Sequence, residues 1–182
     1  MSDPSEKSSG VSAIPADDPR RMLVAARPDL DDSLLHLGLV GDTYTILLRG
    51  EDTAGRYCLI DMHIPPGGGP PPHRHDFEET FVILVGELEA TFRGVKQMVR
   101  EGETIHIPAN APHQFRNVSD APVRALCTCA PAGQEKFFEE VGVRVATRTT
   151  PPPPLDEAEE AAFKAKAAAL AAKYRTEFVA PA

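Results

Sequence analysis

Four side chains in this sequence have the chemistry of metal ligands and an order that strands can bring together: His73, His75, Glu79 and His113. His73 and His75 are two residues apart, so on an extended strand both imidazoles project to one face. Glu79 follows in phase with Phe81, Ile83 and Val85, while Glu78, on the opposite face, competes with it for the carboxylate role. His113 opens the run HQFRNV, just after a turn built on Pro108-Ala-Asn-Ala-Pro112.

Three neutral imidazoles and one carboxylate suit a single divalent first-row ion. They fill four positions of an octahedron, and the two left over are the condition for chemistry rather than mere structure. Iron heads the expected ions, with manganese, nickel, cobalt and zinc as alternatives, and no organic cofactor is expected. No thiol stands near these four in the sequence, which argues against a structural zinc of the finger type.

Other candidates read as structural. His36 lies in an apolar run far upstream and is expected to be a satisfied core histidine. His106 alternates with Ile105 and Ile107, so it should face outward or into an interface. His63 precedes a loop and is open between lining the barrel mouth and capping a strand. Cys127 and Cys129 alternate with Thr128 in an apolar run, so they should share one strand face as buried small hydrophobes. Gly67-Gly68-Gly69 is flanked by prolines and lacks the Lys-Ser/Thr of a phosphate loop, so its glycines are turn punctuation.

Strands must position the four. Short apolar runs from Ser33 onward, LLHLGLV, TYTILLR, RYCLIDMHI, FVILV, LEATF, KQMV, TIHI, HQFRNV and VRALCTCA, are separated by turn residues at Gly86, Gly94, Gly102, Pro108 and Asp120. The regular spacing, without helical pattern between, predicts an all-β sandwich or jelly-roll barrel. Residues 1–22 carry no apolar period and are expected to form a disordered arm, with the barrel over 23–148. Gly133 to Gly142 predicts one short helix. Residues 149–182 predict a proline spacer, Pro151 to Pro154, then a helix N-capped by Asp156 with Glu159 three residues on. Phe163, Ala167, Leu170 and Tyr174 share a face of that helix, which is assigned a structural role and no catalytic one.

Composition bounds the rest. The 182 residues, 42% hydrophobic, support one packed core. Eighteen prolines and thirteen glycines fit a turn-rich fold. A net charge of -8 without any Lys/Arg stripe argues against nucleic acid as a partner and leaves a small molecule as the expected one. No leader-like or membrane-spanning apolar run is visible, and three cysteines leave one unpaired under any disulfide scheme, so no membrane partner and a reducing cytoplasm are expected.

Gly67, His73, His75, Glu79 and Gly86 together resemble the first motif of the cupin superfamily, and Gly102, Pro108, Asn110, His113 and Asn117 resemble the second, with 15 residues between Gly86 and Gly102. Asn110 stands where that pattern usually has glycine, and asparagine is the next best residue for a positive φ. The motif core spans residues 67–117. The texture of the chain, including its KYRTEFVAPA segment, resembles the bacterial quercetin 2,3-dioxygenase-like group.

The resemblance implies a double-stranded β-helix, the jelly-roll cupin barrel, with a C-terminal helical extension. It implies metal ligation by His73, His75, Glu79 and His113, and a mononuclear oxygenase-type enzyme acting on a small enolisable or phenolic molecule. Glu79 would then also be the base that takes the substrate proton. Phe81, Ile83 and Phe115, in parity with the ligands, would wall the pocket, and His63, open between its mouth and a strand cap, is the further candidate. Lewis-acid chemistry (decarboxylation, isomerisation or hydrolysis) and a non-enzymatic binding or sensing role are the alternatives. A homodimer is implied as well, with the run Leu34 to Val40 as a candidate edge.

Overall fold

The computed structural model describes residues 14–39 and 41–180 of the chain. Residues 1–13 of the expected N-terminal arm lie outside them, and residues 14–34 hold no helix or strand. The strands are β1 (Leu35–Leu39), β2 (Asp42–Leu48), β3 (Cys58–Ile64), β4 (His73–His75), β5 (Glu78–Val85), β6 (Glu87–Phe92), β7 (Val95–Arg100), β8 (Thr104–Ile107), β9 (His113–Arg116) and β10 (Val123–Ala130). Then follow helix α1 (Gln134–Val141), β11 (Val143–Arg144), helix α2 (Glu157–Ala171), a 3-10 turn and β12 (Thr176–Phe178). No described helix is long and apolar enough to cross a membrane.

Two antiparallel sheets face each other. One runs β11-β1-β2-β3-β10-β5-β8, the other β12-β4-β9-β6-β7. The two-residue period of the strands sorts the side chains: Phe81 and Ile83 of β5, Val123, Ala125, Cys127 and Cys129 of β10, and Leu88 and Ala90 of β6 all turn into the space between the sheets and are buried. Fully burying a side chain such as Ile83 or Leu88 contributes about 1.5–3 kcal/mol. This is the double-stranded β-helix expected from the sequence, with helices added at its C-terminal end.

Two conformational details place the loops around the metal-ligand candidates. Gly69 has φ +126, and a Cβ there would lie 2.2 Å from the Phe115 carbonyl oxygen, so only glycine lets this loop lie against β9. Asn110 has φ +67, and its N–H donates to the His75 carbonyl at 2.6 Å, which closes the Pro108–Pro112 turn over β4.

Asn117 latches the same loop. Its side-chain amide donates to the carbonyls of Ile64 (2.9 Å) and Ala121 (2.8 Å), and its Oδ1 accepts from the Ser119 backbone and hydroxyl. Its own backbone exchanges hydrogen bonds with Gly67 and Gly68.

Two expectations are corrected. Val40 of the run Leu34 to Val40 lies outside the described residues, and the strand within it, β1, is not a sheet edge: it lies between β11 and β2, with Leu37 opposite Arg144 and Gly38 opposite Val143. Pro152 packs so closely on Gly38 that a Cβ there would lie 2.5 Å from its side chain. The covering strand is only two residues long, too short to show a period in sequence.

The C-terminal extension is also more than a helix. Asp156 and Glu159 make the expected reciprocal cap on α2, and Phe163, Ala167, Leu170 and Tyr174 pack with Phe137 and Val141 of α1. The chain then turns through Arg175 (φ +60) and returns as β12, which pairs with β4.

Candidate metal centre

His73 and His75 both turn inward from β4 while Arg74, between them, turns outward to Glu177 at 2.7 Å. His113 lies directly opposite His73 in the β4–β9 ladder, and their ring centroids are 4.3 Å apart. Glu79 comes from the facing sheet, on β5, between Cys129 of β10 and Ile107 of β8. The ligating atoms of His73, His75, Glu79 and His113 all lie within 4.8 Å of one another, and all four residues are buried. Glu78 is exposed and pairs with His106 at 3.0 Å on the outer face.

Each imidazole is oriented by a backbone carbonyl: His73 Nδ1 to Pro71 O (3.0 Å), His75 Nδ1 to Phe77 O (2.9 Å) and His113 Nδ1 to Ala111 O (2.9 Å). A carbonyl can only accept, so Nδ1 carries the proton and the Nε2 lone pair is presented elsewhere. Nε2 of His75 and of His113 lie 3.2 and 3.1 Å from Glu79 Oε2. The ring of Phe77 stacks on His75 at 3.8 Å and holds it in plane.

Burial pushes the His73 imidazole down to about 4, helped by His113, so it is neutral at pH 7. Burial alone would raise the Glu79 carboxyl. The His113 and His75 rings outweigh that and hold it well below the usual carboxylate range so long as their Nε2 atoms bring a proton to Oε2, a place a cation would take when the Nε2 lone pairs are free. An imidazole Nε2 this close to a carboxylate oxygen needs a proton or a cation between them. This donor set fits a divalent transition ion, and the buried cluster could hold one.

The cluster opens on a cavity of about 60 Å³. Met62, Phe115, Phe137, Phe138 and Phe178 give it apolar walls, and His73, Glu79 and Cys127 lie at its polar side. A larger surface hollow, about 540 Å³, is lined by Arg49, Glu51, Lys136, Glu139, Glu140 and Tyr174 and contains none of the four. Both of its cations are paired with its own carboxylates, Arg49 with Glu139 and Lys136 with Glu51 at 2.9 Å.

Of the expected pocket residues, Phe115 lines the cavity. Phe81 and Ile83 are buried in the core without lining it, Phe81 meeting the Phe115 ring edge-on at 5.3 Å. His63 is not at the barrel mouth. The period that turns Met62 inward sends His63 to the outer face of β3, in register with Thr43 and Arg124. His36 is buried, as expected, with Nδ1 2.7 Å from Thr45 Oγ1.

The expectation that no thiol stands near the cluster is corrected. Cys127 and Cys129 are buried, but their sulfurs lie 3.3 and 3.8 Å from Glu79 Oε1, because the β10–β5 ladder sets residues 50 apart in sequence side by side. The α1 face and the C-terminal strand, which supply Gln134, Phe137, Phe138, Thr176 and Phe178, were also missed as pocket elements. The strand parity that turns Met62 inward was the one signal in the sequence that could have found a further wall residue.

Residues 60–129, a span containing all four residues, match the cupin domain family. An uncharacterized protein of Methanocaldococcus jannaschii is 34% identical over 77 residues, covering 42% of this chain and 62% of that protein. The quercetin 2,3-dioxygenase of Bacillus subtilis is 26% identical over 106 residues, covering 57% of this chain and 31% of that enzyme. The matches thus span less than two thirds of either relative's own length. Among solved structures, the polyketide cyclase RemF from Streptomyces resistomycificus is 26% identical with a TM-score of 0.52, over 60% of this chain and 80% of that one. With the two-sheet barrel and the motif residues gathered between its sheets, the matched residues 60–129 form a cupin domain.

Proposed function

We propose that this chain is a metal-dependent enzyme of the oxygenase type, acting on a small enolisable or phenolic molecule, with His73, His75, Glu79 and His113 holding one divalent transition ion, iron in the first place. The observation that carries this reading is the set of three backbone carbonyls, each accepting from an Nδ1 and so committing an Nε2 lone pair to the interior. Such an ion, when bound, supplies Lewis acidity and a redox centre for dioxygen.

The residues themselves bind, orient and move a proton. Glu79, on the cavity wall, accepts the proton of a substrate hydroxyl. Phe115, Phe137 and Phe138 exclude water and stack on a planar substrate. At about 60 Å³ the cavity admits a few waters, against the roughly 300 Å³ of even a modest ligand site, so substrate entry requires α1 or β12 to move.

A second reading, Lewis-acid chemistry without oxygen, is favoured by the likeness to the polyketide cyclase. Oxygen uptake with a flavonol and a panel of enolisable phenols separates the two. The expected result is metal-dependent uptake of one dioxygen per substrate consumed. Equal turnover without oxygen would overturn the oxygenase reading in favour of the second. A homodimer is part of the proposal, and a clean monomer on gel filtration at dilute concentration would contradict it.

A further inference from the structure

We propose that Cys127, Cys129 and Oε1 of Glu79 form a second metal position beside the imidazole cluster, one that takes a thiophilic d10 ion of the zinc(II) class. The Glu79 carboxylate is divided between two sets of donors. Its Oε2 faces His75 and His113, and its Oε1 faces the two sulfurs. Glu79 would therefore bridge two ions, one oxygen to each, and its role as substrate base belongs to the protein whose thiolate position is empty.

The distances suit this. The sulfurs are 3.7 Å apart, and they lie 3.3 and 3.8 Å from Oε1. A tetrahedral zinc at about 2.3 Å from sulfur and about 2.1 Å from oxygen spans edges of roughly 3.8 Å between sulfurs and roughly 3.6 Å from sulfur to oxygen. The triangle already has the dimensions of one face of that tetrahedron. Its corners are held by backbone ladders, since Cys129 is the cross-strand partner of Glu79 and Cys127 lies two residues along the same strand. Cys127 and Glu79 line the cavity, which gives the ion a path in.

The charge balances as well. Binding replaces two S–H bonds by two S–metal bonds and releases two protons to solvent. The divalent ion therefore arrives with two new thiolates and adds no net charge to the barrel interior. Three protein donors leave one tetrahedral position for water or an incoming group. The site shares Glu79 with the proposed imidazole site, but its sulfurs are its own.

Cobalt(II) tests this on the full chain after metal removal, because a thiolate bound to cobalt gives a near-ultraviolet charge-transfer band that imidazole and carboxylate do not. Wild type is expected to bind two cobalt ions, one of them with the band, by equilibrium dialysis and absorption. The variant carrying Cys127→Ser and Cys129→Ser should bind one ion without the band and keep the wild-type circular dichroism. The variant carrying His73→Ala and His113→Ala should keep one ion with the band. A wild type that binds a single ion without the band, or a band that survives loss of both cysteines, would overturn the thiolate position. A wild type that binds a single ion with the band, unchanged in the histidine variant, would uphold it and count against the imidazole site instead.

Discussion

Phe178 on β12 stands directly opposite His73 on β4, and Thr176 directly opposite His75, so the C-terminal strand is the outer neighbour of the two imidazoles. Phe178 also walls the cavity. This short strand is held by three residue pairs, so it is the element expected to open first. Phe178→Ala removes its apolar anchor, at a cost of about 1–2 kcal/mol for a half-buried ring. Removal of bound metal by a chelator should become roughly tenfold faster while the barrel stays folded. An unchanged rate would show that metal leaves by another route.

Asp42 gives a pH dependence. Its carboxyl is buried under the proline-glycine loop, with Tyr44 donating to Oδ2 at 3.0 Å and Oδ1 without a partner, and burial raises it to about 7 from 3.8. Below about pH 4 both folded and unfolded states hold the proton. Between there and about 7 only the folded state does, so stability falls as pH rises and the full penalty is present above that range. Asp42→Asn mimics the protonated acid. Its stability advantage in urea denaturation should grow from near zero at pH 4 to on the order of a few kcal/mol at pH 8. An advantage equal at both pH values would contradict this.

Asn117→Ala should destabilise the protein by about 2–4 kcal/mol, because two donated and two accepted side-chain hydrogen bonds are lost and the Ile64 and Ala121 carbonyls lose their shared donor. The midpoint of denaturant unfolding measures this. A change below 0.5 kcal/mol, the rough span of an ordinary surface substitution, would show that Asn117 is not the latch.

The two adjacent glutamates separate site from surface. Glu79→Gln should weaken metal binding by at least the 10–100-fold that loss of even an outer-shell partner costs, whereas Glu78→Gln, whose partner is the exposed His106, should leave it unchanged. Competition with a chelator of known affinity reads both. Equal losses would remove Glu79 from the site.

Period-2 parity was enough to put His73 and His75 on one face and to bury Cys127 and Cys129, while the choice of Glu79 over Glu78 also needed the motif spacing of the cupin resemblance. Asn110 could be read as a positive-φ residue because it stands where the cupin pattern has glycine, and the Asp156–Glu159 cap from three-residue spacing. What could not be read was long-range pairing. β11 and β12 are two and three residues long and carry no period, so the covered edge of β1 and the strand beside His73 were invisible. The closeness of Cys127 to Glu79 depends on the β10–β5 register, which no local pattern encodes. His63 sat where two readings were open, and the inward turn of its neighbour Met62 decides it.

Anomalous diffraction from crystals grown with iron, manganese, nickel, cobalt or zinc in turn tests the central claim most directly. The expected result is a peak at about 2.0–2.2 Å from Nε2 of His73, His75 and His113 and from a Glu79 oxygen. Crystals of the folded protein that show no peak among these four side chains with any of the five metals would contradict it.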